Sequence, residues 1–403
     1  FKIFTENLLL LSIFLSGFLF LGYTFQHDII FLFFSIVFLN YKRILIYKNL
    51  ATFLFILLII NSVRGFINFD FDLQKLRWVL FFLTTFLFLN YISHTSFTFS
   101  NNFNKKLIKI LVLKNIIYLI FGISAEIIGI SRFELQPGHS HSFLFGTTAY
   151  FLFTNIFFLI TVDDLKKVKY WKKLIISTLL LTVAIYYESR VSLIVTLLFM
   201  LLLFFEFKLK KLIPLILLAP IVISILVSYI TFTDFLKIYN TVVSPYDSTL
   251  GANDFDRFSH IVGASNFVFD FNNFPYNLIG YGARTSSFTI GNEIINYFGS
   301  IGVDFKFFNE SEFLNIGTNS YSGLLMDNGL IFLIILLLIL YNIVRISFTS
   351  DNTLNILSFT LCFILYLFVI DLRDLPILYL FLSSTVLFKL FRNKSKDSLD
   401  LYR

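Results

Sequence analysis

Arg132, Arg190, Arg257, Arg284 and Arg373 stand where a chain this apolar has little reason to keep a charge. An arginine fork stays protonated and grips oxyanions through paired N–H groups, so several together can hold a phosphate or diphosphate. Carboxylates lie close to them in sequence. Glu188 is two residues before Arg190, Asp256 directly precedes Arg257, and Glu310 follows in the same polar stretch. Such groups could take a proton from an attacking hydroxyl. His139, His141, Asn319 and Tyr321 add hydrogen-bonding groups, and Tyr246, Tyr276, Tyr281 and Tyr297 offer rings on which a sugar face could stack.

Plainer readings stand beside these. Glu188 and Arg190 could be a salt bridge at a helical hairpin. Asp254, Asp256 and Arg257 could cap and pair on an amphipathic helix whose inward positions are Phe258, Ile261, Val262, Ser265 and Phe269. His139 and His141 are two residues apart with no evident third ligand, so no metal is expected. No cofactor is expected either. There is no phosphate-cradling Gly-x-x-x-x-Gly-Lys loop and no His-Glu-x-x-His helix.

The elements that must position these residues are apolar. The chain has 403 residues, of which 57% are hydrophobic and only 14% charged. Its mean hydropathy is +0.82. The apolar residues fall in runs of about 17 to 22, the length that crosses a bilayer. Spans are expected near Leu8–Phe25, Ile29–Leu45, Leu50–Ile67, Leu76–Ile92, Leu107–Ser124, Ser142–Val162, Leu174–Tyr187, Val191–Phe207, Leu212–Ile230, Gly323–Ile346, Leu354–Ile370 and Pro376–Leu390. The first is read as a retained helix, not a signal peptide. The expected fold is therefore an all-α polytopic membrane protein with about 12 transmembrane helices. Residues 1–230 form the N-terminal helices, 231–322 one large polar loop, and 323–403 the C-terminal helices and tail. The sole cysteine, Cys362, excludes an intrachain disulfide.

Charge orients the chain. With Lys2 in the cytoplasm, alternate connections on that side carry most of the 32 basic residues, including Lys105, Lys106, Lys166, Lys167, Lys172, Lys173, Lys208 and Lys394. That is the positive-inside pattern. It explains the net charge of +7 without nucleic acid. Both termini are then cytoplasmic and the loop 231–322 faces outward. Arg64 and Lys114 lie in or at the ends of apolar helices, where a charge costs about 2.5–3.5 kcal/mol. For them a structural and a functional role weigh equally.

Four stretches then resemble the O-antigen polymerase and O-antigen ligase superfamily of membrane glycosyltransferases. ESRVSLIV at Glu188–Val195 is similar to its Ser-Arg element opening an apolar helix. Asp256–Phe288 resembles its arginine, amphipathic helix, Pro and Gly-x-Gly, here Arg257, Pro275, Gly280 and Gly282. Glu312–Ile334 resembles the closing element, with Asn319, Ser320 and Tyr321 ahead of an acidic-x-Gly at Asp327 and Gly329. Ser131–Thr147 resembles the arginine-bearing outer loop before the middle helices.

The resemblance implies a GT-C-like, metal-independent enzyme of the bacterial inner membrane. It would act at the periplasmic face on undecaprenyl-diphosphate-linked oligosaccharide as donor and acceptor. It implies that the family's arginines map onto Arg132, Arg190, Arg257 and Arg284; with the neighbouring carboxylates as candidate bases, the catalytic set is Arg190, Arg257, Glu188, Asp256 and Glu310. The substrate-binding set would be Arg132, Arg284, His139, His141, Asn319, Tyr321 and Arg373. Ligases of the superfamily carry a functional His just before the closing Asn, whereas this chain has Ile316, Gly317 and Thr318. That departure favours polymerase over ligase and leaves the base open among the carboxylates. A flippase for the same lipid is the further alternative, and a chain-length regulator an open further partner.

Overall fold

The computed structural model describes residues 2–15, 56, 57, 59–61, 63–65, 100, 102–127, 152–187, 189–205, 252–270, 272, 274–282, 285, 289, 290, 293, 319–348 and 353–369. Among these there is no strand. The helices are α1 (Lys2–Leu15), α2 (Phe103–Ile127), α3 (Phe157–Ile160), α4 (Val162–Lys166), α5 (Tyr170–Tyr186), α6 (Arg190–Phe204), α7 (Ala252–Phe269), α8 (Tyr276–Ile279), α9 (Ser320–Phe348) and α10 (Thr353–Val369). A 3-10 turn, Thr154–Ile156, leads into α3. Residues 56–65 contribute a further helical stretch.

Two of these helices are long and apolar enough to cross a membrane, at Phe103–Ser124 and Ser320–Leu338. Val191–Phe204 and Thr353–Phe368 are shorter apolar helices. The outward side of α2 is itself apolar, with Leu113, Ile116, Ile120 and Ile123 exposed. A water-facing helix carries polar residues there, so this surface fits a membrane-associated protein.

Side-chain pairs fix the directions of the helices. α1 and α2 run the same way: Glu6 accepts from Ser100, Lys106 donates to Asn7, and Lys114 donates to the Ile13 carbonyl. The stretch 152–166 runs opposite to α2, because Asn104 donates to Asp164 (2.6 Å) while Lys114 donates to Thr154 (3.0 Å). Asn115 and Asn155 exchange two amide hydrogen bonds across that same seam. α5 and α6 form an antiparallel hairpin, with Tyr170 against Phe204 at its open end. α10 runs against 152–160, pairing Phe157 with Phe359 and Phe153 with Tyr366. One end of the bundle thus collects Lys2, Lys105, Lys106 and Lys166–Lys173. The other collects the starts of α6 and α9.

Three sequence expectations are corrected. The span expected as Ser142–Val162 is, in its described part, a chain of short helical pieces running on to Lys166. The Thr161 hydroxyl bonds the Phe158 carbonyl and closes α3. The span expected as one helix from Gly323 is α9, which starts at Ser320 and breaks at Gly329 (φ 59°, ψ −150°). On α7 the buried positions are His260, Gly263, Ala264, Phe267 and Val268, while Phe269 is exposed and Ser265 only partly buried. Phe267 on that face stacks on Tyr281, which holds this side of α7 inward.

Candidate functional site at the break in α9

Two helix starts are set by side-chain caps. Asn319 Oδ1 accepts from the Ser322 amide at 2.8 Å and opens α9. Ser189 accepts from the Ser192 amide at 3.3 Å and opens α6, so Arg190 is its first helical residue. Each cap satisfies an amide that has no partner within its own helix. Ser192 Oγ lies 3.2 Å from the Tyr366 hydroxyl near the end of α10. Tyr321 packs on Phe368, one residue before that end, with ring centroids 4.5 Å apart. The Tyr321 hydroxyl is hydrogen-bonded to Ser265 of α7. The starts of α6 and α9, the end of α10 and the second half of α7 therefore share one end of the bundle.

The break in α9 is locked from outside. The Met326 carbonyl accepts from the Tyr281 amide and the Asp327 carbonyl from the Gly282 amide, both at 3.0 Å. Asn61 donates to the same Asp327 carbonyl at 2.6 Å. Asp327 Oδ1 accepts from the Thr285 amide at 3.0 Å. Each of these groups, buried without a partner, would cost about 1–3 kcal/mol. Gly329 sits in a backbone region open essentially to glycine alone, with its Cα against α8 and Gly280. Gly280, at φ 73°, leaves no room for a Cβ beside the Asp327 carbonyl. The Gly-x-Gly and acidic-x-Gly motifs are thus each other's partners, and Gly65 of the 56–65 helix packs on Gly282.

Beside the lock stands a stacked column. Tyr281 lies on Phe267 of α7 at 4.9 Å, and Tyr276 lies on Tyr281 at 5.2 Å, both nearly parallel. The Arg64 guanidinium sits 5.2 Å from the Tyr276 ring centre. The Tyr281 hydroxyl is hydrogen-bonded to Glu293. Burial, and then the nearby Glu293 carboxylate, push that phenol up to about 12. It stays protonated at neutral pH and serves as a donor. Arg64 Nη1 is buried with no hydrogen-bond partner, as are Asn61 Oδ1 and Asn277 Oδ1. A buried charged donor left unpaired costs more than a neutral one's 1–3 kcal/mol or so. A cation–π contact returns only about 0.5–2 kcal/mol. Packing alone does not account for Arg64.

Of the residues expected to do chemistry, Arg190 opens α6, and Asp256 and Arg257 lie in the first half of α7. Asn319 is buried as the cap of α9, with its Nδ2 unpaired. Tyr321 is partly buried between α7 and α10. Glu188, Glu310, Arg132, Arg284, His139, His141 and Arg373 lie outside the described residues. Among the described residues no three His, Cys, Asp or Glu come together, so no metal centre is assigned.

Comparison with known protein families, characterised proteins and solved structures finds no match. The family reading thus rests on the four motifs alone. Sequence reasoning weighed Arg64 without finding its surroundings and passed over Asn61, Asn277 and the buried His260. A signal for the first two was present. Asn61 and Arg64 are three residues apart in an apolar helix, a spacing that puts two polar groups on one face.

Proposed function

We propose that the chain is a multi-pass inner-membrane glycosyltransferase of GT-C-like architecture, with about 12 spans, that polymerises oligosaccharide repeat units carried on undecaprenyl diphosphate. The observation that carries the reading is convergence. The Ser189–Arg190 helix start, the second half of α7, the Gly280–Gly282 turn and the Asn319–Gly329 element are far apart in sequence yet lie at one end of the bundle. The lysine-rich end is opposite, which supports a periplasmic site under the positive-inside rule.

In this reading an acceptor sugar hydroxyl attacks the anomeric carbon of the donor glycan. The new glycosidic C–O bond forms as the bond to the diphosphate breaks. Undecaprenyl diphosphate leaves with the electron pair, and the hydroxyl proton goes to a carboxylate among Glu188, Asp256 and Glu310. Arg190 and Arg257 stabilise charge growing on the diphosphate, the kind of electrostatic term that dominates such transfers. Arg132, Arg284, Arg373, His139 and His141 would complete the binding face.

The broken α9 favours one further reading, a lipid flippase, because transporters bind substrate at discontinuous helices. There the freed carbonyls face the cargo. Here the Met326 and Asp327 carbonyls are taken by Tyr281, Gly282 and Asn61, so the break works as a joint. A ligase would share the geometry. Purified protein incubated with a lipid-linked repeat unit should yield a ladder of glycans. Arg190→Ala should abolish the ladder while the protein still inserts. Lipid movement without a new glycosidic bond points to the flippase, and a ladder unchanged by Arg190→Ala removes the central residue.

A further inference from the structure

Arg64 has no place in the chemistry above, yet it is the described cation whose surroundings most need a ligand. Its Nη1 is buried and unpaired while its guanidinium plane is fixed over Tyr276. Gly65 beside it is wedged against Gly282, so the helix end cannot readily swing the arginine away. Two amide oxygens close by also lack donors. Asn61, one turn before Arg64, is 5% exposed and spends its Nδ2 on Asp327 and Asn328. Asn277, next to Tyr276, is 4% exposed and spends its Nδ2 on the Asp270 carbonyl. Both are packed on the same turn of α9. What is left over is one buried guanidinium nitrogen and two buried acceptor oxygens, on elements that meet at the same turn of α9. A lone anion would satisfy the fork and repel the acceptors. A phosphate carrying a hydroxylated sugar would satisfy all three.

We propose that Arg64, Asn61 and Asn277 form a sugar-phosphate subsite, with Arg64 on the phosphate oxygens and the two amide oxygens accepting from sugar hydroxyls. Tyr276 positions the guanidinium. The subsite deepens the polymerase reading, which supplies its natural ligand, a lipid diphosphate bearing a sugar. A phospholipid headgroup carries the same phosphate chemistry, and the test separates the two.

The test titrates purified full-length protein in phospholipid-free detergent with undecaprenyl diphosphate and with undecaprenol. Wild type should bind the diphosphate at least about tenfold more tightly than the alcohol, as expected of a charge-assisted pair. Arg64→Met, which keeps the stem over Tyr276, should shrink that difference several-fold, with the contacts of Arg190 and Arg257 remaining, and Arg64→Lys should lose less. Phosphatidylglycerol that fails to compete identifies the polyprenyl lipid as the source. Equal competition identifies a headgroup site, with the phosphate contact intact. Unchanged diphosphate affinity in Arg64→Met overturns the proposal. Should that variant not fold, phenylglyoxal labelling of wild type decides. Undecaprenyl diphosphate must shield Arg64 in the mapped peptide, and equal labelling with and without lipid overturns the subsite. The two readings fail separately. A protein that makes no ladder yet binds diphosphate through Arg64 loses only the polymerase assignment, whereas a ladder-forming protein whose Arg64→Met variant binds as before loses only the subsite.

Discussion

Tyr281 ties the head, the described part of the polar segment from α7 to Glu293, to the bundle through three contacts of different kinds. Its amide holds the Met326 carbonyl, its ring lies between Phe267 and Tyr276, and its hydroxyl meets Glu293. Replacing it with Phe removes only the third. A hydrogen bond to a charged group contributes about 1.5–3 kcal/mol when well buried. Tyr281 is partly open to solvent, so the loss should be near 1 kcal/mol. Tyr281→Phe should lower the melting temperature by a few degrees without changing expression. The phenol also gives a pH signature. Its folded value is raised to about 12 from about 10 in the unfolded chain. The stability it contributes is complete below pH 10 and fades as pH climbs through 12. Difference absorbance titration, wild type minus Tyr281→Phe, should show one tyrosine ionising near pH 12. An ionisation near 10 would mean that neither burial nor Glu293 acts on it.

At the scale of elements, α9 shows which features a sequence displays and which it hides. Its start carried a local signal that the expected start at Gly323 missed, because Asn319 before Ser320 is a capping residue followed by an apolar run. Ser189 before α6 is a signal of the same kind. The break was not readable. Gly329 follows Asp327 and Asn328 within an otherwise apolar segment, and a lone glycine there is usually tolerated in a helix. What makes it a break is Asn61, which bonds the Asp327 carbonyl 266 residues away, together with the turn Gly280–Gly282. Likewise the buried face of α7 meets a partner outside the helix, Tyr281 on Phe267, while hydrophobic periodicity points elsewhere. The motif residues were therefore visible one by one, and the interlock that gives them a purpose was not. The joint can be tested on its own. Gly329→Ala puts a side chain into a glycine-only conformation, at about 1–3 kcal/mol, and presses it on the α8 backbone. Thermal melting should fall by that amount, and Thr285 and Tyr281 amides should exchange faster with deuterium. Leu330→Ala, on the next residue, should leave both amides unaffected. Unaltered exchange in Gly329→Ala would show that α9 can straighten without loosening the head.

The whole molecule is organised by its two unlike ends. At one, Asn7, Ser100, Asn104 and Asp164 meet amid Lys105, Lys106 and Lys166–Lys173. At the other, caps, stacked rings and Arg64 meet at the break in α9. A bilayer reads such a difference through its own asymmetry, since lysine-rich connections stay in the cytoplasm. The directions of six helices are consistent with that single assignment: α1, α2, α5 and α10 start at the lysine end, and α6 and α9 at the other. The chain offers a clean way to test it, because Cys362 is the only cysteine and is buried. Single cysteines placed at exposed positions can then be read against a silent background. Asn272→Cys, exposed in the head, should react with a membrane-impermeant maleimide in intact spheroplasts. Lys105→Cys, exposed at the lysine end, should react only after permeabilisation. The reverse pattern would put the head in the cytoplasm, where a lipid-linked periplasmic glycan cannot reach it, and the polymerase reading would fall with it. Equal labelling of both before permeabilisation would mean that the bundle does not separate two compartments at all.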